Sequence, residues 1–153
     1  MDIKYVPRSS VMFEGYISQY YQITAIDLYT RKRVLSIVDE CSVTHTSAFL
    51  ETLSSRVGFA IHEIQTDNGR EFTNPWEKER RSGFETTLTR LWIAYRRTRP
   101  YFPWQNGVVE RSHRLDSENF YSGRRFRSEE ELRASLVRYE KRYNRTARRV
   151  LGF

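Results

Sequence analysis

Five short stretches of the chain alternate apolar and polar residues, which is the pattern of strands with one face in a core. These predicted strands cover residues 2–6, 20–27, 33–38, 59–66 and 92–97. Apolar residues recur every three or four positions in four other stretches, which are predicted helices at residues 44–57, 84–91, 108–121 and 128–144. The first three strands are predicted to form an antiparallel meander, after which helices and strands alternate. This order predicts a mixed α/β domain with helices on the faces of its sheet.

Start and stop residues mark the ends of some predicted elements. Ser42 or Thr44 can cap the first helix, and Gly58 can end it. Residues 74–83 are strongly charged and predict a loop or insertion, and residues 99–107 predict a second loop that contains Pro and Gly.

The stretch QTDNGREF, residues 65–72, places Asp67 where the fourth predicted strand ends. Asp, Asn and Gly are typical turn residues, so Asp67 could simply close a turn. A carboxylate at the carboxyl end of a strand in an open α/β sheet could instead hold a metal ion. The metal interpretation needs carboxylates from other elements, and the candidates are Asp2 on the first strand and Glu110 near the start of the third helix. Both interpretations remain open at this point.

Composition narrows the class of protein. The 153 residues suit one domain with its own core. No stretch approaches the roughly 18 apolar residues of a membrane span, and the first residues do not have the pattern of a secretory leader, so we expect neither. The one cysteine, Cys41, excludes an internal disulfide, and the three histidines lack zinc-ligand spacing with it.

The positive charge of the chain is concentrated in its second part. Residues 1–89 carry 10 Lys and Arg against 12 Asp and Glu, a net charge of −2, whereas residues 90–153 carry 16 against 7, a net charge of +9. Fifteen of those sixteen cations are arginines, which bind phosphate in a bidentate manner and stack on bases. A solvated helix face would also be rich in charge, but this imbalance favours a nucleic acid as the partner.

Four stretches, in this order, carry a family resemblance: DIKY at residues 2–5, TAIDLYTR at 24–31, QTDNGREF at 65–72 and RPYFPWQNGVVERSHR at 99–114. The sequence resembles the integrase catalytic core of prokaryotic insertion-sequence transposases, which is related to retroviral integrases and to ribonuclease H. The stretches DSENFY, RYN and VLGF further along the chain resemble the transposases in particular.

The resemblance implies one catalytic-core domain over residues 1–153 with a ribonuclease H-like fold. That fold has a five-stranded mixed sheet, in which three antiparallel strands are followed by two parallel ones, with helices on both faces. Because the chain begins one residue before Asp2, we expect it to lack the helix-turn-helix region that recognises transposon ends.

The resemblance also implies a catalytic and metal-binding triad of Asp2, Asp67 and Glu110. Such a triad binds two Mg²⁺ ions, for which Mn²⁺ can substitute, and catalyses cleavage of DNA ends followed by strand transfer. Asp27 stands in a similar local context but is expected to have a turn or structural role. Glu71 and Asp116 are expected to be surface residues.

DNA contacts are predicted for the loop before Glu110 and for the helix that carries it. The predicted contacts are Tyr101, Gln105, Asn106, Arg111, His113 and Arg114. Tyr101 could stack on a base, but it could also pack in the interior together with Phe102 and Trp104, and His113 could be a partly buried residue. Members of this family synapse two DNA ends, so a homodimer or a higher multimer is expected, in the cytoplasm with the nucleoid.

Two other functions remain open on the sequence. The chain could be a catalytically silent DNA-binding or assembly module, which would keep the basic second part without metal binding. It could also be a nuclease of the ribonuclease H type, which would hydrolyse strands without joining them.

Overall fold

The computed structural model describes residues 1–13, 19–74, 79–99 and 102–146. The strands in this part of the chain are β1 (Asp2–Tyr5), β2 (Tyr21–Ile26), β3 (Arg33–Val38), β4 (Glu63–Thr66) and β5 (Ala94–Arg97). The helices are α1 (Val43–Val57), α2 (Gly83–Arg90), α3 (Gly107–Asp116) and α4 (Glu129–Thr146). Every predicted strand and helix is therefore present, and the prediction of a mixed α/β domain is confirmed.

The five strands are arranged as two ladders. Strands β1, β2 and β3 form an antiparallel ladder in which Asp2 lies opposite Thr24, and β4 and β5 form a parallel pair in which Glu63 lies opposite Ala94. The backbone nitrogen of Met1 donates a hydrogen bond of 2.7 Å to the carbonyl oxygen of Gln65, which joins β1 to β4. The order of three antiparallel strands and then two parallel ones agrees with the sequence prediction.

Apolar side chains pack on both faces of the antiparallel ladder. On β3, Val34 belongs to a core shared with α1 and α2, whereas its neighbour Leu35 belongs to a second core shared with α4. Successive side chains of a strand point to opposite faces, so this alternation places helices on both sides of the sheet.

Several element ends differ from the sequence prediction. The fourth strand begins at Glu63, because Phe59 and Ala60 are exposed. The side chain of Ser42 caps α1 by accepting a hydrogen bond from the backbone nitrogen of His45 at 3.4 Å, and Gly58 ends the helix with a φ of 88°. Such a positive φ favours glycine, which has no β-carbon.

The third predicted helix continues past α3 with a different winding. Residues Ser117–Tyr121 form a π-helical turn, and the backbone nitrogen of Ser122 donates to the carbonyl oxygen of Ser117 at 2.9 Å. Such turns close hydrogen bonds between residues five apart instead of four. In the part of the chain that the structure describes, none of the helices has the length and apolar character needed to cross a membrane.

Candidate active site

The carboxylates of Asp2 on β1 and Asp67 after β4 lie close enough to affect each other electrostatically. The Asp2 side chain is 16% exposed and accepts a hydrogen bond of 2.9 Å from the backbone nitrogen of Ile3. Burial raises the pKa of Asp2 to about 6, and the negative charges of Asp67 and Glu71 act in the same direction. Two residues of the predicted triad therefore belong to one acidic environment.

Asp67 also closes the turn that its sequence suggested. Its Oδ1 atom accepts a hydrogen bond of 2.9 Å from the backbone nitrogen of Gly69. The Asn68 amide donates to the carbonyl oxygen of Thr98 at 2.9 Å, which ties this turn to the end of β5. The turn interpretation is thus correct in the structure, and the metal role of Asp67 stays a prediction.

Glu71 is a third member of this acidic environment. It is half-buried, and burial followed by the charge of Asp67 raises its pKa. The expectation of an ordinary surface residue was wrong, because the side chain folds back over Gly69, where a β-carbon would collide with its carboxylate. The signal in the sequence was the placement of two carboxylates four residues apart in the same turn.

Glu110, the third predicted carboxylate, lies in the first turn of α3 and is exposed. Within residues 1–13, 19–74, 79–99 and 102–146, no group of three or more His, Cys, Asp or Glu side chains is arranged to hold a metal ion. The donor chemistry is nevertheless suitable, because carboxylate oxygens are the ligands that Mg²⁺ prefers. The structure thus brings together Asp2 and Asp67, and the metal role of all three residues stays a prediction.

His113 links α3 to the acidic environment. Its Nδ1 atom lies 3.6 Å from Oδ2 of Asp2, its side chain is 14% exposed, and its buried Nε2 atom has no hydrogen-bond partner among the described residues. Burial, followed by the positive charge of Lys4, lowers the pKa of His113 to about 4, so the imidazole is neutral at pH 7. The structure therefore gives His113 the partly buried position that the sequence had left open, and its predicted DNA contact is untested.

Lys4 joins the strand of Asp2 to the same helix. Its Nζ atom donates to the carbonyl oxygen of His113 at 3.1 Å and to Oγ of Ser117 at 2.7 Å. The sequence analysis did not single out Lys4, although it lies two residues after Asp2 and therefore on the same face of β1.

Asp116 is fully buried at the end of α3, so the expectation that it would be a surface residue was wrong. Its Oδ1 atom accepts a hydrogen bond of 2.7 Å from Arg33 of β3, which is also fully buried, and a second of 2.8 Å from the Tyr139 hydroxyl of α4. Burial opposes the charge of Arg33, but the charge and hydrogen bond of Asp116 outweigh it and leave the pKa of the guanidinium raised. Sequence reasoning missed Arg33, whose only signal was a cation at the start of an apolar strand.

The loop before α3 holds the remaining predicted DNA contacts. The side-chain oxygen of Gln105 accepts from the backbone nitrogen of Arg99 at 2.8 Å, and the Gln65 amide donates to the carbonyl oxygen of Gln105 at 2.7 Å. Asn106 precedes α3 without capping it through its side chain. Tyr101 lies outside the described residues.

Exposed side chains line this loop and the helix that follows. Phe102 and Trp104 are exposed and pack edge to face with ring centroids 4.7 Å apart, so they lie outside the core. Arg111 and Arg114 are also exposed, and Arg114 pairs with Glu118 one turn further along the helix at 3.2 Å. These exposed positions are compatible with the predicted contacts with DNA, which stay predictions.

A cavity of about 340 Å³ lies beside the acidic environment. Its walls come from the turn between β2 and β3, the end of α1, β4 and the start of α3, and they include Met1, Gln65, Gln105 and Asn106. The carboxylates of the predicted triad do not line it. This cavity is therefore adjacent to the candidate active site and separate from it.

The protein-family models that match the chain agree on one family. Two family models, both described as integrase core domain, match residues 1–103 and residues 91–149. No curated protein matches the chain at a significant level.

Solved structures of viral integrases share the fold. A chain of the simian T-cell lymphotropic virus intasome in complex with PP2A regulatory subunit B56 gamma has 19% identity and a TM-score of 0.59, over 88% of this chain and 45% of that one. The catalytic core domain of BIV integrase has 20% identity and a TM-score of 0.52, over 72% and 68% of the two chains. The HTLV-2 integrase catalytic core domain in complex with magnesium has 17% identity and a TM-score of 0.54, over 76% and 64%.

These likenesses confirm the ribonuclease H-like fold. The chain spans less than half the length of the intasome chain that it matches.

Proposed function

Because the chain belongs to the integrase core domain family, we propose that it is the catalytic core of a transposase that cleaves DNA ends and transfers them to target DNA. Asp2, Asp67 and Glu110 are the proposed catalytic carboxylates. The observation that carries the proposal is the interaction of Asp2 with Asp67, since one carboxylate on β1 and one directly after β4 share one partly buried environment. The negative charge of Asp67 raises the proton affinity of Asp2, and a divalent cation would relieve the same repulsion.

The proposed cofactor is Mg²⁺, held by the three carboxylates. Two bound ions would activate the attacking hydroxyl group and stabilise the departing oxygen of the phosphodiester, and Mn²⁺ is expected to substitute. One relative, the HTLV-2 integrase core, was solved in complex with magnesium. The proposal requires Glu110 to approach the other two carboxylates when metal and DNA are bound, so its contribution has to be measured separately.

The residues of this chain have distinct tasks in the proposed reaction. Neutral His113 packs against Asp2 and limits the access of water to that carboxylate. Lys4 holds α3 against β1, which keeps the helix of Glu110 beside the strand of Asp2. The exposed Arg111 and Arg114 would bind DNA phosphates on the same helix.

A catalytically silent DNA-binding module is the second candidate. The net charge of +9 over residues 90–153 supports it, because arginines would bind phosphates whether or not the carboxylates hold a metal ion.

The viral relatives include an intasome and a trimeric form. By analogy, we propose that this chain acts on DNA as a homodimer or a higher multimer.

The test is a joining assay with a labelled DNA duplex and a supercoiled plasmid target, in Mg²⁺ or Mn²⁺. The variants are Asp2→Asn, Asp67→Asn and Glu110→Gln, each of which removes one carboxylate with little change in shape. Asp27→Asn is the matched control, because the Asp27 carboxylate accepts hydrogen bonds from the backbone nitrogen and hydroxyl of Thr30 in the turn after β2.

The transposase proposal predicts nicked and joined products for the wild type and the control, and neither product for the three carboxylate variants. Nicked products without joined ones would identify a nuclease of the ribonuclease H type. DNA binding without either product, and without binding of Mn²⁺, would identify the silent module and contradict the proposal.

A further inference from the structure

Resting on the proposed function, we propose that Arg33 and Asp116 form a positioning pair. The pair sets the location of α3, and with it Glu110, relative to Asp2 on β1. Neither residue belongs to the carboxylate triad or to the exposed surface, since both side chains are fully buried.

Arg33 donates hydrogen bonds to two residues of α3. A single guanidinium nitrogen, NH1, donates to Oγ of Ser112 at 2.6 Å and to Oδ1 of Asp116 at 2.7 Å. These two acceptors lie four residues apart, about one helical turn, on the buried face of α3. A rotation or a slide of α3 by one residue would break both hydrogen bonds, so the contact fixes the rotation and the axial position of the helix.

Asp116 is held from two further elements. Its second oxygen, Oδ2, accepts from the side-chain amide of Gln22 on β2 at 2.8 Å, and the Tyr139 hydroxyl of α4 donates to Oδ1 at 2.8 Å. Gln22 in turn accepts a hydrogen bond of 2.6 Å from the Tyr121 hydroxyl. Strands β2 and β3 and helix α4 therefore converge on one carboxylate at the end of α3.

Arg33 is itself fixed in place by α4. The Asn144 side chain accepts from the backbone nitrogen of Arg33 and donates to its carbonyl oxygen, each at 2.8 Å. The guanidinium carbon lies 3.7 Å from the centre of the Tyr143 ring, a cation–π contact. A donor that cannot move can define the position of its acceptors.

The face of α3 that Arg33 contacts lies next to residues of the candidate active site. Glu110 lies two residues before Ser112, and His113, which contacts Asp2, lies one residue after it. Lys4 of β1 donates a hydrogen bond to the carbonyl oxygen of His113, so the same helix is also tied to the strand of Asp2. A small shift of α3 would therefore change the separation of the carboxylates directly.

The role of a buried ion pair in positioning a helix can be tested apart from its role in the stability of the fold. Replacing both partners by apolar residues of similar volume is often neutral or stabilising, because the cost of desolvation offsets the attraction. An apolar pair packs without direction, however, and cannot select one rotation of the helix as two hydrogen bonds do.

The experiment compares the double variant R33M/D116L with the matched control R56M/E140L. Arg56 and Glu140 form an ion pair of 3.1 Å between α1 and α4, and their further hydrogen bonds go to Leu35 and Ser36 of β3. For the wild type and each variant we would measure the midpoint of urea unfolding, the dissociation constant for a labelled duplex and the single-turnover cleavage rate at saturating duplex. A crystal structure or amide hydrogen exchange of residues 107–116 gives the position or the protection of α3 without any assay of activity.

We expect R33M/D116L to bind DNA within about twofold of the wild type and to cleave it about 100-fold more slowly, since a displacement of 1 Å can cost that much. The control should change neither quantity. Hydrogen exchange in residues 107–116 should rise in R33M/D116L alone. Wild-type cleavage in a folded R33M/D116L protein with unshifted α3 would overturn the positioning role.

Two situations need a second readout. If R33M/D116L does not fold, Ser112→Ala removes one acceptor of Arg33 and leaves the ion pair, and it should lower the cleavage rate about tenfold at unchanged DNA affinity. Full activity of Ser112→Ala would then contradict the role. If the wild type itself does not cleave DNA, the proposed function fails, and the position of α3 in the variant structure still decides whether this pair sets it.

Discussion

The Nδ1 atom of His113 on α3 lies 3.6 Å from the Oδ2 atom of Asp2 on β1. Because the lowered pKa of His113 keeps the imidazole neutral at pH 7, the contact does not neutralise the carboxylate. The histidine instead covers one side of Asp2 and leaves its negative charge available to a cation. The contact also joins the strand of the first predicted carboxylate to the helix of the third.

His113→Ala should therefore impair the reaction more than it impairs binding of DNA. We expect the single-turnover rate to fall about tenfold, because the Asp2 carboxylate loses the side chain that covers one side of it. The affinity for DNA should stay within about twofold of the wild type. Cleavage assays and fluorescence anisotropy on the same preparation measure the two quantities. A large loss of affinity at an unchanged rate would instead support the direct DNA contact that the sequence predicted for His113.

Arg111→Ala and Arg114→Ala should have the opposite effect. Both side chains are exposed on α3, so each is expected to contact phosphate and not to shape the carboxylates. Each substitution should weaken binding of duplexes of any sequence and reduce the slope of log K against log salt concentration by about 1. Titrations at several salt concentrations measure the slope, and an unchanged slope would place these arginines away from the DNA.

Asp2→Asn should stabilise the metal-free protein at neutral pH. The folded pKa of Asp2, about 6, lies above its ordinary value of 3.8, so ionisation opposes folding as the pH rises through that interval. The variant cannot ionise there, and its advantage should be absent below about pH 4 and reach about 3 kcal/mol above pH 6. Urea unfolding in the presence of a chelator at pH 4 and pH 8 measures this difference.

Magnesium should reverse that order of stability. A cation bound between Asp2 and Asp67 stabilises the wild type and has less effect on the variant. Equal shifts of the unfolding midpoint for both proteins on addition of Mg²⁺ would count against Asp2 as a ligand.

Trp92→Gly should stabilise the protein through its backbone. Trp92 has a φ of 58° and is 93% exposed, so it combines a left-handed conformation with little packing. Glycine removes a strain of about 1 to 2 kcal/mol and gives back part of it through the entropy of the unfolded chain, which leaves a gain of about 0.5 to 1 kcal/mol. Urea unfolding measures the gain, and Ala94→Gly in β5, which should lose stability, is the control.

The elements of the fold were predictable because each depends on neighbours in the sequence. Alternation indicated β2 and β3, helical spacing indicated α1 and α4, and turn residues indicated the position of Asp67. The burial of Arg33 and Asp116 was not predictable in the same way. The two residues are 83 positions apart, and a charged residue looks the same in one sequence whether its partner is water or a distant carboxylate.

The candidate site was predictable to a similar extent. Asp2 and Asp67 could be singled out because Asp67 ends a predicted strand and the family resemblance groups it with Asp2. Lys4 and Glu71 were missed, since their importance arises from side chains that fold toward α3 and over Gly69. Such contacts depend on how elements pack, which no local pattern encodes.

The π-helical turn Ser117–Tyr121 makes the length of this segment as important as its composition. Residues five apart would lie about 140° from each other around an α-helix, and Asp116 and Tyr121 could not then reach the same amide of Gln22. The wider turn brings both side chains to it, at 2.8 Å and 2.6 Å. Ordinary α-helical winding of the present sequence would turn one of the two partners away, whereas deleting one residue would leave them four apart, about 40° around an α-helix and on one face. This stretch should therefore tolerate a single-residue deletion better than a single-residue insertion.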